Sequence, residues 1–432
     1  MKKLALSVIS ISIVAIAIFF AFNVKKDENA GQDIQKVNKI SLFHYFSGPL
    51  SGGLTEMINT VNGRNPNQQV LAQSLNHEAF KSMIHLTLAK GNPPELFTYW
   101  AGAKTQELVN QGKLEPLDDI WQTVPLSTRF TTPVSEAAST YNGKKYLLPI
   151  SQSVVVFFYN KQLLKREGLT APSTWEELVN LAEELKNHQF TPFALGAKER
   201  WPAQFWFDYL LLRTAGPIYR RKLMEGEAAY TDAEVQKVYA MWGMLLQKGY
   251  FNTNANDLDW AEATQTVCSG EAAMTLMGSW AIQALTASKC GLTEDSGFDF
   301  FAFPMISPDV PKVALGPVDG LVLTKDSANH SFAKTILSYF SEVEPQQTLS
   351  LGSGGFAPSS QVPKTIYSSL RRRILAESES SAQWAFNYDL ATAAEIADKG
   401  MDSFNELIAF PGQSIQILEH LQTEVQKIRP QK

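Results

Sequence analysis

The chain has 432 residues, of which 44% are hydrophobic and 19% are charged, a balance that indicates a globular protein and excludes a disordered one. Its length is more than one compact core usually serves, so two domains or lobes are expected. The net charge is −5 and no long basic run lies outside the N-terminus, which argues against nucleic acid as a partner. Two cysteines without a C-x-x-C spacing exclude zinc ribbons and iron–sulfur clusters, and we expect no metal site.

The N-terminal residues are typical of an export signal. Lys2 and Lys3 precede an uncharged apolar stretch over residues 4–24. That stretch is close to the ~20 residues that span a bilayer, so residues 1–24 are either a cleaved signal peptide or a retained membrane anchor. No cysteine follows the stretch, so a lipoprotein anchor is not expected. Residues 25–38 are polar and are predicted to be a linker.

Export gives the two cysteines a meaning. In an oxidising compartment Cys268 and Cys290 can form a disulfide. The closed loop would contribute ~3 kcal/mol by restricting the unfolded chain. The alternative is two buried free thiols.

From residue 39 onward short apolar runs alternate with helical periods, which indicates an α/β fold. The predicted strands are 39–46, 95–100, 147–150, 153–159, 270–276, 298–304 and 318–324. The predicted helices are 54–62, 77–90, 175–185, 200–215, 233–248, 279–288, 331–342, 385–399 and 413–428. Thr174 and Glu177 form the Thr-x-x-Glu pattern of a capping box before the third of these helices.

Two charged motifs are predicted to have no binding role. His77-Glu78 begins like a zinc-binding helix, but Lys81 stands where the second histidine is required, so we expect a solvated helix face. Arg371-Arg372-Arg373 is predicted to lie on a surface helix, where such a charge run favours solubility.

Five segments in fixed order resemble the family 1 extracellular solute-binding proteins of ABC importers, the maltose- and glucose-binding type. Each is short, and it is their fixed order that is specific; one is GEAAMTLMGSW at 270–280. The others are GNPPELF at 91–97, FYNK at 158–161 with APSTWEEL at 171–178, GFDF at 297–300 with Pro304, and DGLV at 319–322 before Thr324-Lys325. The likeness covers nearly all of residues 39–432.

The resemblance implies a two-lobed periplasmic-binding-protein fold (type II) of the α/β class, in which each lobe is a sheet flanked by helices and hinge strands join the lobes. Lobe 1 would comprise residues 39–150 plus 319–352, and lobe 2 residues 151–318 plus 353–432. The implied function is to capture a sugar or related polyol in the cleft and to deliver it to an ABC permease and its ATPase in the inner membrane. It also implies a periplasmic monomer, free or tethered by residues 4–24, with no cofactor and no catalytic activity.

A sugar site requires flat aromatic rings and convergent hydrogen-bonding groups, and ligands bind at the carboxyl ends of strands in open parallel sheets. Trp100 ends a predicted strand and Trp280 follows another at a strand-to-helix turn, so both are predicted to contact the ligand, with a place in the core as the alternative. Tyr45 and Phe46 end the first strand, where one is expected to face the cleft and the other the core. Trp260 is predicted to be a lid, with capping or packing as the alternative. The other candidates lie near the lobe crossovers or at the entry of the helix 200–215: Gln152, Trp201, Gln204, Asp319, Trp384 and Asn387. For Gln152 and Asp319 the alternative is a hydrogen bond to the backbone only.

Two other functions stay open at this point. Aromatic rings and carboxylates also build the sites of secreted glycoside hydrolases. A retained N-terminal anchor would favour a binding protein that signals to a membrane sensor. The sequence contains no G-x-S-x-G, H-E-x-x-H or P-loop motif, which disfavours several enzyme classes without excluding a pair of catalytic carboxylates.

Overall fold

The structure, a computed structural model, describes residues 37–429. The predicted signal peptide or anchor at 1–24 lies outside these residues, as does most of the predicted linker. Within the described range no helix combines the length and the apolar character that crossing a membrane requires.

The first sheet has five strands: β1 (Asn38–His44), β2 (Gln68–Ser74), β3 (Leu96–Trp100), β6 (Leu147–Gln152) and β12 (Val318–Leu323). Their spatial order is β2-β1-β3-β12-β6. The first three run parallel to one another, whereas β12 is antiparallel to both of its neighbours. The parallel strands β1 and β3 therefore end side by side at one edge of the sheet.

The second sheet has four strands: β7 (Val155–Asn160), β8 (Thr191–Ala194), β9 (Ala272–Gly278) and β10 (Phe298–Phe301). Their order is β10-β7-β9-β8, and only the β8–β9 pair is parallel. Two small ladders complete the strands: β4 (Thr140–Tyr141) with β5 (Lys144–Lys145), and β11 (Val313–Leu315) with β13 (Gln383–Ala385).

Helices flank both sheets. Those beside the first sheet are α1 (Gly52–Arg64), α2 (His77–Ala89), α3 (Ala103–Asn110), α4 (Asp118–Thr123), α5 (Leu126–Arg129), α6 (Thr132–Ser139), α14 (His330–Phe340) and α15 (Val343–Ser353). Those beside the second are α7 (Lys161–Arg166), α8 (Trp175–Asn187), α9 (Gln204–Thr214), α10 (Gly216–Glu225), α11 (Ala233–Gln247), α12 (Trp260–Ser269), α13 (Ala281–Thr286), α16 (Ser369–Glu379), α18 (Ala394–Ala409) and α19 (Ser414–Ile428). The short helix α17 (Tyr388–Ala391) lies between the two, since Tyr388 packs in the second core and Leu390 in the first.

The buried apolar side chains form two large clusters, one around each sheet. The chain passes from the first cluster to the second after β6, and it returns to the first cluster at β12. Such separate cores are the two-lobed α/β fold expected from the sequence. We call the first sheet with its helices the first lobe, and the second sheet with its helices the second lobe.

Local features explain several element boundaries. Thr174 and Glu177 form the predicted capping box at the start of α8. Asp259 and Glu262 form a second capping box, which fixes the first turn of α12 and with it the position of Trp260. Cys268, in α12, is bonded to Cys290, which follows α13, with 5.2 Å between their Cα atoms.

Some predicted elements are wrong. A single helix was expected at 385–399, but the structure has the end of β13, the short α17 and the start of α18 there. The strand β2 and the helix α15 were not predicted. The surface position expected for the arginine triplet is wrong for Arg371, which is buried and pairs with Glu294 at 3.3 Å.

Candidate functional site

A cavity of about 280 Å³ lies between the two lobes. We call it the cleft. Its wall contains side chains from both lobes, and nine of the eleven candidate residues predicted from the sequence line it: Tyr45, Phe46, Trp100, Trp201, Gln204, Trp260, Trp280, Asp319 and Asn387. Eight further residues line the cleft and were not predicted from the sequence to do so: Asn76, His77, Lys104, Ser151, Ser153, Glu199, Ser353 and Asp389.

The first lobe contributes a stack of rings. Tyr45 follows β1 directly and Trp100 ends β3, so the two parallel strands bring them together at one sheet edge. Their rings are 4.4 Å apart and 10° from parallel. Phe46 also stacks on Tyr45, with 5.3 Å between the ring centroids. Both Tyr45 and Phe46 line the cleft and both also belong to the buried cluster of the first lobe, so the expected division between cleft and core does not separate them.

The second lobe contributes Trp201 and Trp280, whose ring centroids are 5.9 Å apart. Trp280 follows β9 and precedes α13, as the sequence predicted. Gly278, two residues earlier, has no side chain, and a Cβ there would overlap the indole of Trp280. Glycine at 278 therefore permits the Trp280 ring to fold back over the strand end.

Rings of the two lobes meet at His77, the first residue of α2. Its imidazole is 5.0 Å from Trp100 in its own lobe and 5.6 Å from Trp201 in the second lobe. The expectation of a solvated helix face at His77 is therefore wrong. Burial, assisted by the nearby ammonium of Lys81, lowers the pKa of His77 to about 4, so the ring is neutral at neutral pH.

Asp319 lies beneath the ring stack. Asp319 is the second residue of β12 and pairs with Trp100 of the neighbouring strand β3. The hydroxyl of Tyr45 donates to Oδ1 of Asp319 at 2.7 Å. Burial raises the pKa of Asp319 to about 7, although the hydrogen bond from Tyr45 acts in the opposite direction. The carboxyl group is therefore costly to ionise as long as nothing else contacts it.

An ion pair crosses the cleft wall near α17. Lys104 Nζ lies 2.6 Å from Asp389 Oδ2 and 4.9 Å from the centroid of the Trp100 ring. The backbone N–H of Asp389 donates to Gln204 Oε1 at 2.8 Å, which connects this pair to α9 of the second lobe. Burial alone would raise the pKa of Asp389, but the ammonium of Lys104 outweighs it and the pKa is lowered. Asp389 is therefore ionised at neutral pH.

Several buried polar atoms of the cleft wall have no hydrogen-bond partner. They are Oδ1 of Asp389, Oδ1 of Asn387 and Oγ of Ser353, and the three residues are 5%, 5% and 2% exposed. Buried polar groups are nearly always hydrogen-bonded in folded proteins. All three residues line the cleft, so a molecule bound there would be the group that completes their hydrogen bonding.

The remaining two candidates, Gln152 and Trp384, line a different cavity of about 1160 Å³, which we call the second cavity. Gln152 ends β6, and its neighbours Ser151 and Ser153 line the cleft instead. Successive side chains of a strand point to opposite faces, so neighbouring residues of β6 line different cavities. Trp384 donates its indole N–H to the carbonyl of Gly316 at 3.1 Å. The placement of both residues in the cleft was therefore incorrect.

One group of side chains at the cleft has the composition of a metal site. Ligating atoms of His77, Glu78 and Glu199 lie within 4.8 Å of one another. Their atoms already have partners, since Lys81 pairs with Glu78 at 2.7 Å and the indole of Trp201 donates to Glu199 at 3.0 Å. A cation would have to displace these bonds, so the arrangement does not point to a resident metal.

The two lobes, with an aromatic cleft between them and partnerless polar atoms in its wall, define a two-lobed binding protein. Residues 47–347 match the family model of the bacterial extracellular solute-binding proteins. The chain belongs to this family.

Similar proteins extend the match over nearly the whole chain. An uncharacterized ABC transporter extracellular-binding protein of Pyrococcus horikoshii is 27% identical over 385 residues, which are 87% of this chain and 84% of that protein. A probable sugar-binding periplasmic protein of Mesorhizobium japonicum is 25% identical over 305 residues, 67% of this chain and 66% of that protein. Among solved structures, the bacterial solute receptor AcbH, which has an exclusive preference for β-D-galactopyranose, superposes with a TM-score of 0.84 at 25% identity. That match covers 91% of this chain and 99% of AcbH.

Proposed function

We propose that the protein captures a sugar or related polyol in the cleft and delivers it to an ABC permease. The observation that carries this proposal is the cleft wall, in which stacked rings stand beside buried polar atoms that lack partners. Sugar rings offer C–H faces to aromatic side chains and hydroxyl groups to polar ones, so this combination fits them. The names of similar proteins, which include sugar-binding periplasmic proteins, support the same assignment.

The size of the cleft limits the ligand. Its volume of about 280 Å³ is at the lower end of the ~300–1,000 Å³ typical of small-molecule sites. A monosaccharide or a short oligosaccharide fits this description better than a long chain does. Tyr45, Trp100, Trp201, Trp280 and Asp319 would contact it, and Lys104 and Asp389 would bind its hydroxyl groups.

Ligand binding would draw the lobes together. We propose the lobe bounds expected from the sequence, 39–150 plus 319–352 and 151–318 plus 353–432, with bending where the chain crosses between them. At these crossings the strands pack closely, since a Cβ at Gly316 would overlap the carbonyl of Ser153 and one at Gly355 would overlap the Ser151 hydroxyl. A ligand favours the closed form only as far as it binds that form more tightly than the open one.

The cellular setting belongs to the same proposal. The protein would act as a periplasmic monomer and dock on a permease with its ATPase in the inner membrane. Residues 1–24 would be its export signal or its anchor. No catalysis is required, because capture and release are conformational steps.

Calorimetry with a panel of mono- and disaccharides tests the function. We expect at least one sugar to bind with a micromolar or lower dissociation constant, to raise the melting temperature and to remain chemically unchanged after prolonged incubation. Trp100→Ala removes this ring from the cleft wall. Trp100→Phe keeps a ring there and serves as the folded comparison. Sugar hydrolysis at a catalytic rate, lost on substitution of one cleft carboxylate, would establish the glycoside hydrolase alternative instead.

A further inference from the structure

The unmet hydrogen bonds of the cleft are mostly acceptors. Oδ1 of Asn387 and Oδ1 of Asp389 are buried without a donor. An amide oxygen and an ionised carboxylate oxygen can only accept. A ligand in the cleft would therefore have to supply hydrogen-bond donors to these two oxygens.

Negative charge also exceeds positive charge around the cleft. Asp259, Glu199 and Asp319 line it, and none of them forms an ion pair within residues 37–429. The one lysine in the wall, Lys104, is already paired with Asp389 at 2.6 Å.

Asp319 is the most exceptional of these carboxylates. It is 8% exposed, its described partner is the hydroxyl of Tyr45, and it lies at the stacked rings of Tyr45 and Trp100. Buried carboxylates are normally paired with a cation, because an unpaired buried charge is costly.

We propose that the cleft prefers a sugar that carries a protonated amino group, and that Asp319 is the residue that receives this ammonium. The inference rests on the proposed function and names its substrate class. An ammonium brings three donors and one positive charge, which matches the excess of acceptors and carboxylates. The same surplus of negative charge disfavours uronic acids and sugar phosphates.

The test compares sugars that differ in one substituent. The full chain is titrated calorimetrically at neutral pH with D-glucose, D-glucosamine and D-glucuronate, and with D-galactose, D-galactosamine and D-galacturonate. In at least one series the amino sugar is expected to bind at least tenfold more tightly than the neutral sugar, and the uronate at least tenfold more weakly than the neutral sugar.

Two variants assign the preference to a residue. Asp319→Asn should bring the ratio of amino-sugar to neutral-sugar affinity close to one, whatever its effect on both affinities. Asp326→Asn removes an exposed carboxylate elsewhere and should leave the ratio unchanged. Circular dichroism establishes that both variants are folded.

The outcomes separate this inference from the function on which it rests. Neutral sugars that bind as tightly as their amino counterparts in both series overturn the inference and leave the sugar-binding function intact. A preference for the amino sugar that survives Asp319→Asn overturns the assignment to Asp319. Failure of all six sugars to bind overturns the inference, and the sugar-binding function itself is contradicted only if the panel of mono- and disaccharides also fails to bind.

Discussion

The cleft and the second cavity are lined from the same crossing strands, yet their chemistry differs. Ser151 and Asp319 face the cleft, whereas their strand neighbours Gln152 and Val318 face the second cavity. The cleft has stacked rings and partnerless buried acceptors, whereas the tryptophan of the second cavity, Trp384, already donates to a backbone carbonyl. A residue on a crossover strand therefore lies near the cleft, but the face of the strand from which its side chain projects decides whether that side chain lines the cleft.

Two half-buried tryptophans offer the strongest test of this comparison. Trp280→Ala should weaken sugar binding about 100-fold, which corresponds to about 3 kcal/mol, because an aromatic face of the cleft is lost. Trp384→Ala removes the same side chain from the second cavity and should change the affinity less than about threefold. Calorimetry measures both, and equal losses in the two variants would remove the distinction between the cavities.

The raised pKa of Asp319 predicts a pH-dependent stability. The folded protein holds this proton up to about pH 7, whereas the unfolded chain releases it near pH 4. The native state thus binds more protons over this range, so the contribution of Asp319 to stability is present at low pH and is lost as the pH rises toward 7. Tyr45, the titratable group that hydrogen-bonds it, has a pKa well above 10 and stays neutral throughout.

Denaturant unfolding of the sugar-free protein between pH 4.5 and 7.5 measures this effect. Relative to Asp319→Asn, which cannot titrate, the wild-type protein should lose a few kcal/mol over the range. A constant difference between the two proteins would show that Asp319 has an ordinary pKa.

Tyr45→Phe isolates one hydrogen bond of the cleft. The variant keeps the ring stacked on Trp100 and removes the donor to Asp319. We expect about a tenfold loss of sugar affinity, about 1.4 kcal/mol, because Asp319 loses the hydrogen bond that holds its carboxyl group in place for the ligand. Unchanged affinity would mean that the Tyr45 hydroxyl does not position Asp319 for the ligand.

Single truncations along β6 give the smallest effects and the sharpest control. Ser151→Ala should weaken sugar binding by about threefold to tenfold, because it removes one small polar group from the cleft wall. Gln152→Ala removes a larger polar group at the next position and should leave the affinity unchanged. The reverse order of effects would place the sugar in the second cavity.

Much of the fold was predictable because its elements have strong local signals. The apolar strands β1, β3, β7 and β9 stand out in the sequence, and the capping box at α8 is a complete motif. The strand β2 was missed because only one of its seven residues, Val70, is buried. The stretch after β13 was misjudged because its helical pattern does not reveal the break between α17 and α18.

The site was predictable where a side chain follows a strand at the sheet edge, as for Tyr45, Trp100 and Trp280. It was not predictable where the decision depends on which face of a buried strand a residue occupies. Nearly every residue of β6 is buried, so no alternation of apolar and polar residues marks the side that Gln152 takes. Asp389 and Lys104 are separated by 285 positions, and no local pattern connects them.

A crystal structure of the full chain with its tightest-binding sugar tests the central claim most directly. We predict density for the sugar between Trp100 of the first lobe and Trp280 of the second, within hydrogen-bonding distance of Asp319 and Asp389. A sugar bound in the second cavity beside Gln152 and Trp384, or on the outer surface of either lobe, would contradict the account.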